Sequence, residues 1–444
     1  MIDRTALGQV RWTGARSRLL ASDERALFDR SSAGGTGDVD ISARTRAVID
    51  RVRRDGDTAL RALAAEFDGV TLDQLEVPMK QCRAALDALD PVLRRAMERS
   101  AANIQRVHES FRPHTQEIES EPGVIIGRRP DPLGRVGVYA PGGRASYPSS
   151  VLMGVVPARV AGVGEVVVCS PPQRATGVPS DAVLGAAALS GADRVFSLGG
   201  AGAIAAMAYG TLSLARVDRI VGPGNAYVAE AKLQVASVVA IDSPAGPSEL
   251  LVLADDSADP VFIAREMLAQ AEHDPLAAVV AITTSASLAN AVLAALAALA
   301  PGQPRREIAE AALTAQGAVL WAESLDEAIA FANQYAAEHL LLVVATADAV
   351  LGRLRSSGTV FVGAYASVAF GDYMTGANHV LPTGGLARSY SGLSTLDFVR
   401  WTTYQHVTRD AAARMAHDVG IFADAEQLGG HALAARALQL RATS

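Results

Sequence analysis

Val136-Gly137-Val138-Tyr139-Ala140 is a short run of small and β-branched residues, and Pro141-Gly142-Gly143 follows it as a turn. Similar runs recur at helix-length intervals at Glu165–Cys169, Arg194–Leu198, Val217–Val221 and Val235–Ile241. Ala-rich helical stretches such as Ser149–Ala161 and Ala182–Ser190 lie between them. This alternation predicts parallel βαβ units with helices on both faces of the sheet. Sheets of this kind bind ligands at the carboxyl ends of their strands.

A second series with the same alternation runs from about residue 249 to 365. Its strands are predicted at Glu249–Ala254, Ala277–Ile282, Ala318–Trp321, Leu340–Ala345 and Thr359–Val362, and its helices at Pro260–Glu272, Leu288–Leu299 and Ser324–Ala337. Residues 26–120 and those after about 390 are predicted to be mainly helical. We therefore expect an α/β fold with two parallel-sheet domains, residues 136–245 and residues 26–135 plus 246–390. A helical segment at 1–25 and a helical domain at 391–444 would flank them.

The composition excludes several classes of protein. With 444 residues and a hydrophobic fraction of 50%, the chain is long and apolar enough for about three domains. A net charge of −7 argues against a nucleic-acid or anionic-membrane binder. Two cysteines exclude a disulfide scaffold and predict a cytoplasmic protein. No signal peptide is expected, since charges interrupt residues 1–20, and the uncharged stretch 276–300 is predicted as a β-α unit rather than a membrane span.

Glycine-rich turns follow three of the predicted strands, at Pro141-Gly142-Gly143, Gly199-Gly200-Ala201-Gly202 and Gly222-Pro223-Gly224-Asn225. Glycines let the backbone approach a pyrophosphate at the amino end of a helix, and Gly200-x-Gly202-x-x-Ala205 fits a dinucleotide-binding pattern. A single turn of this kind is usually only a connection. Three such turns at one edge of a sheet support nucleotide binding and a purely structural role equally.

The segment Gln270-Ala271-Glu272-His273-Asp274-Pro275 closes a predicted helix, because Pro275 stops it. Gln270 and His273 lie three residues apart on one helical face, near enough to share a ligand or a metal ion. The alternative is a histidine that the helix dipole favours at the carboxyl end. These residues alone favour the alternative.

Glu338 and His339 place a carboxylate beside an imidazole, and both groups can perform acid–base chemistry near neutral pH. Neighbours on a regular strand point to opposite faces, so joint use requires irregular backbone at the strand entrance. The alternative is the end of a helix with ordinary polar surface groups.

Two further polar segments lie towards the carboxyl end of the chain. The segment 370–383 is long, broken by glycines and rich in Asp, Asn and His, which is typical of a functional loop. Glu426 and His431 flank Leu428-Gly429-Gly430, and the glycine pair is predicted to open a helix with His431 at its start.

Taken together, these segments resemble the histidinol dehydrogenase family. The matching runs occur in the family's order at Val138–Gly143, Val221–Asn225 with Ala231-Lys232, Ala245–Glu249, Gln270–Asp274, Glu338–Leu340, Gly371–Thr383 and Leu428–His431. They span about residues 138 to 431, and the overall length also agrees. The resemblance implies two Rossmann-like α/β domains in an arrangement like that of aldehyde dehydrogenases.

The resemblance implies a four-electron oxidation of L-histidinol through L-histidinaldehyde to L-histidine, at the end of histidine biosynthesis. Two NAD molecules are reduced in turn. One Zn2+ ion would be held by Gln270, His273, Asp372 and His431. In the family the last histidine comes from the partner subunit, so the resemblance also implies a homodimer with a shared active site.

Glu338 and His339 match the family's catalytic pair. His339 would accept the alcohol proton, and Glu338 would activate the water that attacks the aldehyde. The substrate contacts implied by the resemblance are Ser248, Gln270, His273, His339, Asp372, His379, Glu426 and His431.

Tyr139, Gly202 and Asn225 match positions that contact NAD in the family. At one of them this chain departs from the family, which often has Gln where Gly202 stands. A side-chain contact to NAD is impossible at a glycine, whereas a backbone contact is not.

The two cysteines are poor candidates for the nucleophile that aldehyde oxidation usually recruits. Cys169 ends a buried-type strand and Cys82 lies in a helical stretch. Three alternatives remain distinguishable by assay: a cysteine-dependent aldehyde dehydrogenase, a metal hydrolase without NAD, and a non-catalytic nucleotide-binding protein.

Overall fold

The computed structural model describes residues 9–12, 27–28, 30, 39–142 and 146–443. Its contacts cluster into two compact units. The first comprises Met1–Phe111 and Leu133–Phe398, and the second comprises Arg112–Pro132 and Val399–Ser444. Both predicted α/β series fall within the first unit, so the division of that region at residues 245 and 246 stays a prediction.

The strands are short and mostly parallel. They are β1 Gln9–Trp12, β2 Glu76–Val77, β3 Gln116–Glu121, β4 Val124–Pro132, β5 Arg135–Tyr139, β6 Glu165–Ser170, β7 Arg194–Ser197, β8 Arg219–Val221, β9 Ala240–Ile241, β10 Glu249–Ala254, β11 Ala278–Thr283, β12 Gly317–Ala322, β13 His339–Val343, β14 Thr359–Val362 and β15 Val399–Val407. One sheet of the first unit has the order β2-β7-β6-β5-β8-β9, with β2 antiparallel. The other has the order β1-β12-β11-β10-β13-β14 and is parallel in each pairing.

Helices connect the strands within each sheet. They are α1 Val39–Leu63, α2 Met79–Ala88, α3 Pro91–Ser110, α4 Pro148–Ala161, α5 Asp181–Ser190, α6 Gly200–Tyr209, α7 Ala226–Val235, α8 Pro260–Ala271, α9 Ala286–Leu299, α10 Arg306–Gln316, α11 Leu325–Tyr335, α12 Ala347–Leu351, α13 Val368–Tyr373, α14 Arg409–Ala425 and α15 Gly429–Thr443. The last two belong to the second unit. The predicted α/β class with two parallel sheets is confirmed.

The central strand β10 shows why the apolar runs form a sheet that is covered on both sides. Leu250 and Val252 pack into a core with residues of α8, α9 and α10. Leu251 and Leu253 pack into a separate core with residues of α11. Alternate side chains of a strand point to opposite faces, so a continuous apolar run serves both cores. Each fully buried leucine contributes about 1.5–3 kcal/mol through removal of its side chain from water.

Several sequence predictions of secondary structure are wrong. Val235–Ile241 was predicted as a strand, but α7 continues to Val235, a turn follows, and Ala240–Ile241 alone pairs with β8. The β-branched valines of this stretch pack at the end of the helix instead. Residues 9–12, within the segment predicted as helical, form a strand that pairs with β12. The remainder of residues 1–25 lies outside the described residues.

The second unit also differs from the prediction. Strands β15, β4 and β3 form an antiparallel sheet, although residues 391–444 were predicted as helical and no hairpin was expected before residue 136. The side chains of β3 are exposed throughout. Because this sheet is charged and largely solvated, it lacks the apolar alternation that identifies a strand in sequence.

The uncharged stretch 276–300 forms β11 and α9, as predicted. In the part of the chain that the structure describes, every helix is too short or too polar to cross a membrane.

Candidate active site

A cavity of about 1220 Å³ opens at the carboxyl ends of β5, β6 and β7. Tyr139, Gly202 and Asn225, the predicted NAD-contacting residues, all line it. The Tyr139 hydroxyl accepts a hydrogen bond from the backbone N–H of Gly200 at 3.1 Å, which fixes the ring against the start of α6. The position of this cavity agrees with the rule for parallel sheets.

Asn225 and Gly202 present different groups to this cavity. Asn225 caps α7, because its side-chain oxygen accepts from the backbone N–H groups of Tyr227 and Val228 at 3.1 and 3.2 Å. Its amide nitrogen is not needed for the cap and is available to a ligand. Gly202 can offer backbone atoms alone, and a Cβ at this position would lie 3.2 Å from Leu63 Cδ1.

Gly222 begins the turn that carries Asn225, and its backbone is held from both sides. Its N–H donates to Asp242 Oδ2 at 2.7 Å, and its carbonyl accepts from Lys232 Nζ at 3.1 Å. Asp242 and Lys232 are buried and ion-paired. Gly222 has φ of 117°, and a Cβ there would approach the carbonyl oxygen of Tyr139 to 2.1 Å.

Replacing Gly222 by Ala is therefore expected to destabilise the protein by about 2 kcal/mol or more, through the positive φ and the steric clash. Chemical denaturation measures this change. Gly302→Ala is the matched control, because a Cβ at Gly302 meets nothing within 4 Å. Equal unfolding free energies for the two variants would show that the turn at Gly222 can relax freely.

A second polar cluster lies at the amino ends of β10 and β13, the edge opposite to the one that the rule for parallel sheets predicts. Ala336 ends α11 in the left-handed region with φ of 53°, and Glu338 forms a bend immediately before β13. The backbone is thus irregular at the entrance of β13, which allows the neighbouring side chains of Glu338 and His339 to serve one site. Glu338 and His339, the predicted catalytic pair, are both buried.

The ring of His339 is oriented by the first residue of β10. Its Nδ1 lies 2.9 Å from the carbonyl oxygen of Glu249 and 3.4 Å from Glu338 Oε2. Because a carbonyl oxygen can only accept, Nδ1 donates this hydrogen bond. The other ring nitrogen, Nε2, is buried 3.9 Å from Asp372 Oδ1 and has no hydrogen-bond partner among the described residues. Nε2 is therefore the nitrogen available for exchanging a proton with a ligand.

Opposing effects set the pKa of His339. Burial of the ring disfavours its protonation, whereas the carboxylates of Glu338 and Asp372 favour it and raise the pKa to about 9. At neutral pH the ring is then protonated. A cation bound at Asp372 would offset the charge of that carboxylate and lower the pKa of His339 towards the range in which imidazole acts as a base.

Glu249 contacts both members of the predicted catalytic pair, although it was not among the predicted site residues. Its backbone N–H donates to Glu338 Oε2 at 2.7 Å, and its own Oε2 accepts from the Glu338 backbone N–H at 3.3 Å. Its carboxylate also accepts from Arg30 and from the backbone of Gly384, both at 2.7 Å. Burial raises the pKa of Glu249 to about 7 against the opposing charge of Arg30. The available signal was a lone carboxylate at the head of an apolar strand.

Three predicted zinc ligands lie in the first unit, near the carboxyl ends of α8 and α13. Gln270 is buried in the last turn of α8, and His273 is exposed just beyond it. Asp372 lies in the last turn of α13 and faces His339. Among the residues that the structure describes, no three His, Cys, Asp or Glu side chains group together as a metal site. The predicted set includes a glutamine and a histidine of the partner subunit.

The chemistry of these side chains fits a divalent cation. Gln270 Nε2 is buried without a hydrogen-bond partner among the described residues, so no hydrogen bond from this nitrogen fixes the orientation of the amide. Amide oxygen, carboxylate and imidazole are all donors that Zn2+ and related ions accept.

The predicted substrate contacts are distributed over both units. His379 Nδ1 donates to the carbonyl oxygen of Asp372 at 3.1 Å, so His379 adjoins the His339–Asp372 cluster. Ser248 immediately precedes β10. Glu426 caps the end of α14 and His431 lies in the first turn of α15, both exposed and both in the second unit.

Neither cysteine is placed or activated as a nucleophile. Both are buried. Burial raises the pKa of Cys82 to about 11 and that of Cys169 to about 12. Because the thiolate is the reactive form, both side chains are inert at neutral pH.

The amino-acid sequence matches the family model described as histidinol dehydrogenase over residues 33–440. The histidinol dehydrogenase of Methanosarcina mazei is 45% identical over 419 residues, which are 94% of this chain and 96% of that protein. That of Natronomonas pharaonis is 50% identical over 408 residues, which are 92% and 94% of the two chains. The crystal structure of histidinol dehydrogenase from Elizabethkingia anophelis matches with a TM-score of 0.92 at 33% identity and covers 99% of each chain.

Proposed function

The chain belongs to the histidinol dehydrogenase family, and on that premise we propose that it oxidises L-histidinol through L-histidinaldehyde to L-histidine, with zinc bound and two NAD molecules reduced. The observation that carries this proposal is the buried Nε2 of His339, oriented by Glu249 and facing Asp372 without a hydrogen-bond partner among the described residues. These groups form a site for a base beside a site for a cation.

Gln270, His273 and Asp372 would hold the zinc ion together with His431 of the partner subunit. The bound ion would anchor the imidazole and amino groups of the substrate and help to position its alcohol. The unpartnered amide nitrogen of Gln270, which leaves the side chain free to present its oxygen, and the chemistry of the donor set support this assignment. Ser248, His379 and Glu426 would complete the substrate site, where a carboxylate suits the substrate amine.

NAD would lie in the cavity at the carboxyl ends of the first sheet and accept a hydride in each step. Tyr139 and Asn225 would contact it through the hydroxyl and the free amide nitrogen, and Gly202 through its backbone. The size of the cavity and the presence of all three residues in its wall support this placement.

In the first oxidation, His339 Nε2 takes the proton of the substrate alcohol as the carbon loses its hydride. The hydrogen bond from Nδ1 to the Glu249 carbonyl keeps Nε2 directed at the substrate. In the second oxidation, Glu338 takes a proton from the water that adds to the aldehyde, and the resulting hydrate loses the second hydride. Both steps occur at one site, which keeps the reactive aldehyde from escaping.

We also propose that the enzyme acts as a homodimer, with His431 of each subunit completing the other's metal site. His431 is exposed at the start of α15. Exposed apolar side chains of the same unit, such as Phe422 and Leu433, support burial of this surface against a second copy.

An assay of NAD reduction with L-histidinol tests the proposed function. We expect absorbance of reduced nicotinamide to rise when enzyme, NAD and L-histidinol are combined, and not when L-histidinol is omitted. A metal hydrolase or a non-catalytic nucleotide-binding protein gives no rise in either case, and that result would reject the proposal.

Replacing both Cys82 and Cys169 by Ala is expected to leave turnover within about twofold of wild type, because neither thiol is accessible or ionised. The measurement is the rate of NAD reduction with L-histidinol and, separately, with L-histidinaldehyde. Selective loss of aldehyde oxidation in this variant would instead indicate a covalent thiol mechanism.

A further inference from the structure

Glu266 is a carboxylate buried in the middle of α8, where it is 7% exposed among apolar neighbours. Burial of a charged group is costly unless hydrogen bonds compensate it. Neither Glu266 nor the residues that it contacts take part in the proposed reaction, so its burial must serve another purpose.

Both oxygens of Glu266 bind the start of α13. Oε1 accepts from the Ser367 hydroxyl at 2.7 Å, and Oε2 accepts from the backbone N–H of Val368 at 2.9 Å. Ser367 occupies the cap position of α13, but its side chain makes no capping hydrogen bond. Glu266 therefore acts as the cap of α13 from a neighbouring helix.

This link lies one helical turn from a predicted zinc ligand on each helix. Gln270 follows Glu266 by one turn on α8, and Asp372 follows Val368 by one turn on α13. One turn advances about 5.4 Å along a helix, so the link is at a similar distance from both ligands. It joins the two elements on which those ligands stand.

We propose that Glu266 is a positioning residue for the metal site, because it fixes the amino end of α13 and, through this short helix, the position of Asp372 relative to Gln270 on α8. The proposal rests on the zinc site of the proposed function. Without the carboxylate, α13 loses its cap. Because this helix has only six residues, a shift of its amino end would also displace Asp372. Positions of metal ligands are sensitive to such supporting contacts.

The test is zinc affinity in the full-length protein, measured by competition with a chromophoric chelator. Glu266→Ala is expected to weaken zinc binding roughly tenfold or more. Glu266→Gln, which keeps the size of the side chain and one accepting oxygen, is expected to fall between this variant and wild type. If Glu266→Ala does not fold, the zinc affinity of Glu266→Gln relative to that of wild type decides whether Glu266 has the positioning role.

Asp259→Ala is the matched control on the same helix. Asp259 caps α8 itself by accepting from Val261 N–H at 2.8 Å, far from the joint with α13. This variant is expected to lower the denaturation midpoint without changing zinc affinity. The control thus separates general loss of helix stability from displacement of the ligands.

The possible outcomes are distinguishable. The positioning role is supported if the wild-type protein binds zinc, the Glu266 variants bind it more weakly, and Asp259→Ala binds it as tightly as wild type. Equal zinc affinity in wild type and in the Glu266 variants overturns that role and leaves the proposed function intact. Wild type that binds no zinc overturns the proposed metal site, and the positioning role with it.

Discussion

Replacing His339 by Asn is expected to lower kcat for L-histidinol oxidation roughly 10²- to 10⁴-fold, the range that loss of a general base usually costs. The Asn amide can still donate to the Glu249 carbonyl but offers no basic nitrogen where Nε2 faces Asp372. The measurement is steady-state NAD reduction at saturating substrate. His114→Asn, at an exposed histidine of the second unit, is the control and should leave kcat unchanged.

The pH profile gives this prediction a second readout. A base works in its deprotonated form, so the rate of the wild-type enzyme should rise with pH through the pKa of His339. The neighbouring carboxylates raise that pKa to about 9, and a cation at Asp372 should bring the rise to lower pH. The ascending limb should be absent in His339→Asn. A variant with the wild-type rate and pH profile would contradict the assignment of the base.

Removal of the metal is the second change with a large expected effect. Chelator treatment should reduce the rate of NAD reduction roughly 100-fold or more, and added Zn2+ should restore it. The protein should stay folded without the metal. Gln270 lies on α8, which packs into a buried apolar core, and Asp372 lies on α13. Thermal unfolding should begin at a lower temperature in the stripped protein, since a ligand that binds only the native state stabilises it.

Full activity in a chelator-treated sample shown by elemental analysis to be free of metal would reject the assigned ligands. Partial recovery of activity with other divalent ions would not reject these ligands, because the same nitrogen and oxygen donors bind several such ions.

Most of the apolar strands were predictable from the sequence because they are buried on both faces. The run Leu250–Ala254 is buried throughout and could be recognised without any tertiary information. The edge strand β14 is only partly buried, yet its β-branched and aromatic residues also allowed it to be predicted to the residue. The hairpin of β3 and β4 was missed because its charged side chains are solvated. The membership in the histidinol dehydrogenase family, predicted from ordered motifs, is confirmed.

The support of the site could not be predicted, because it depends on contacts between distant residues. Glu249 meets Glu338 across 89 positions, and Glu266 meets Val368 across 102. The apolar strand that Glu249 heads indicates burial of this carboxylate, but nothing local in the sequence identifies its partners or those of Glu266. The irregular backbone before β13 was predicted as a requirement for joint use of Glu338 and His339, but the left-handed conformation of Ala336 that provides it could not be read from the sequence.

The stoichiometry of NAD reduction tests the central claim most directly. A limiting, known amount of L-histidinol should yield two molecules of reduced NAD and one of L-histidine, with no free aldehyde trapped by an added carbonyl reagent. This result is predicted because His339 and Glu338 lie at one buried site, with Nδ1 and Oε2 3.4 Å apart. A yield of one reduced NAD per L-histidinol, with trapped aldehyde as the product, would contradict a single site that performs both oxidations.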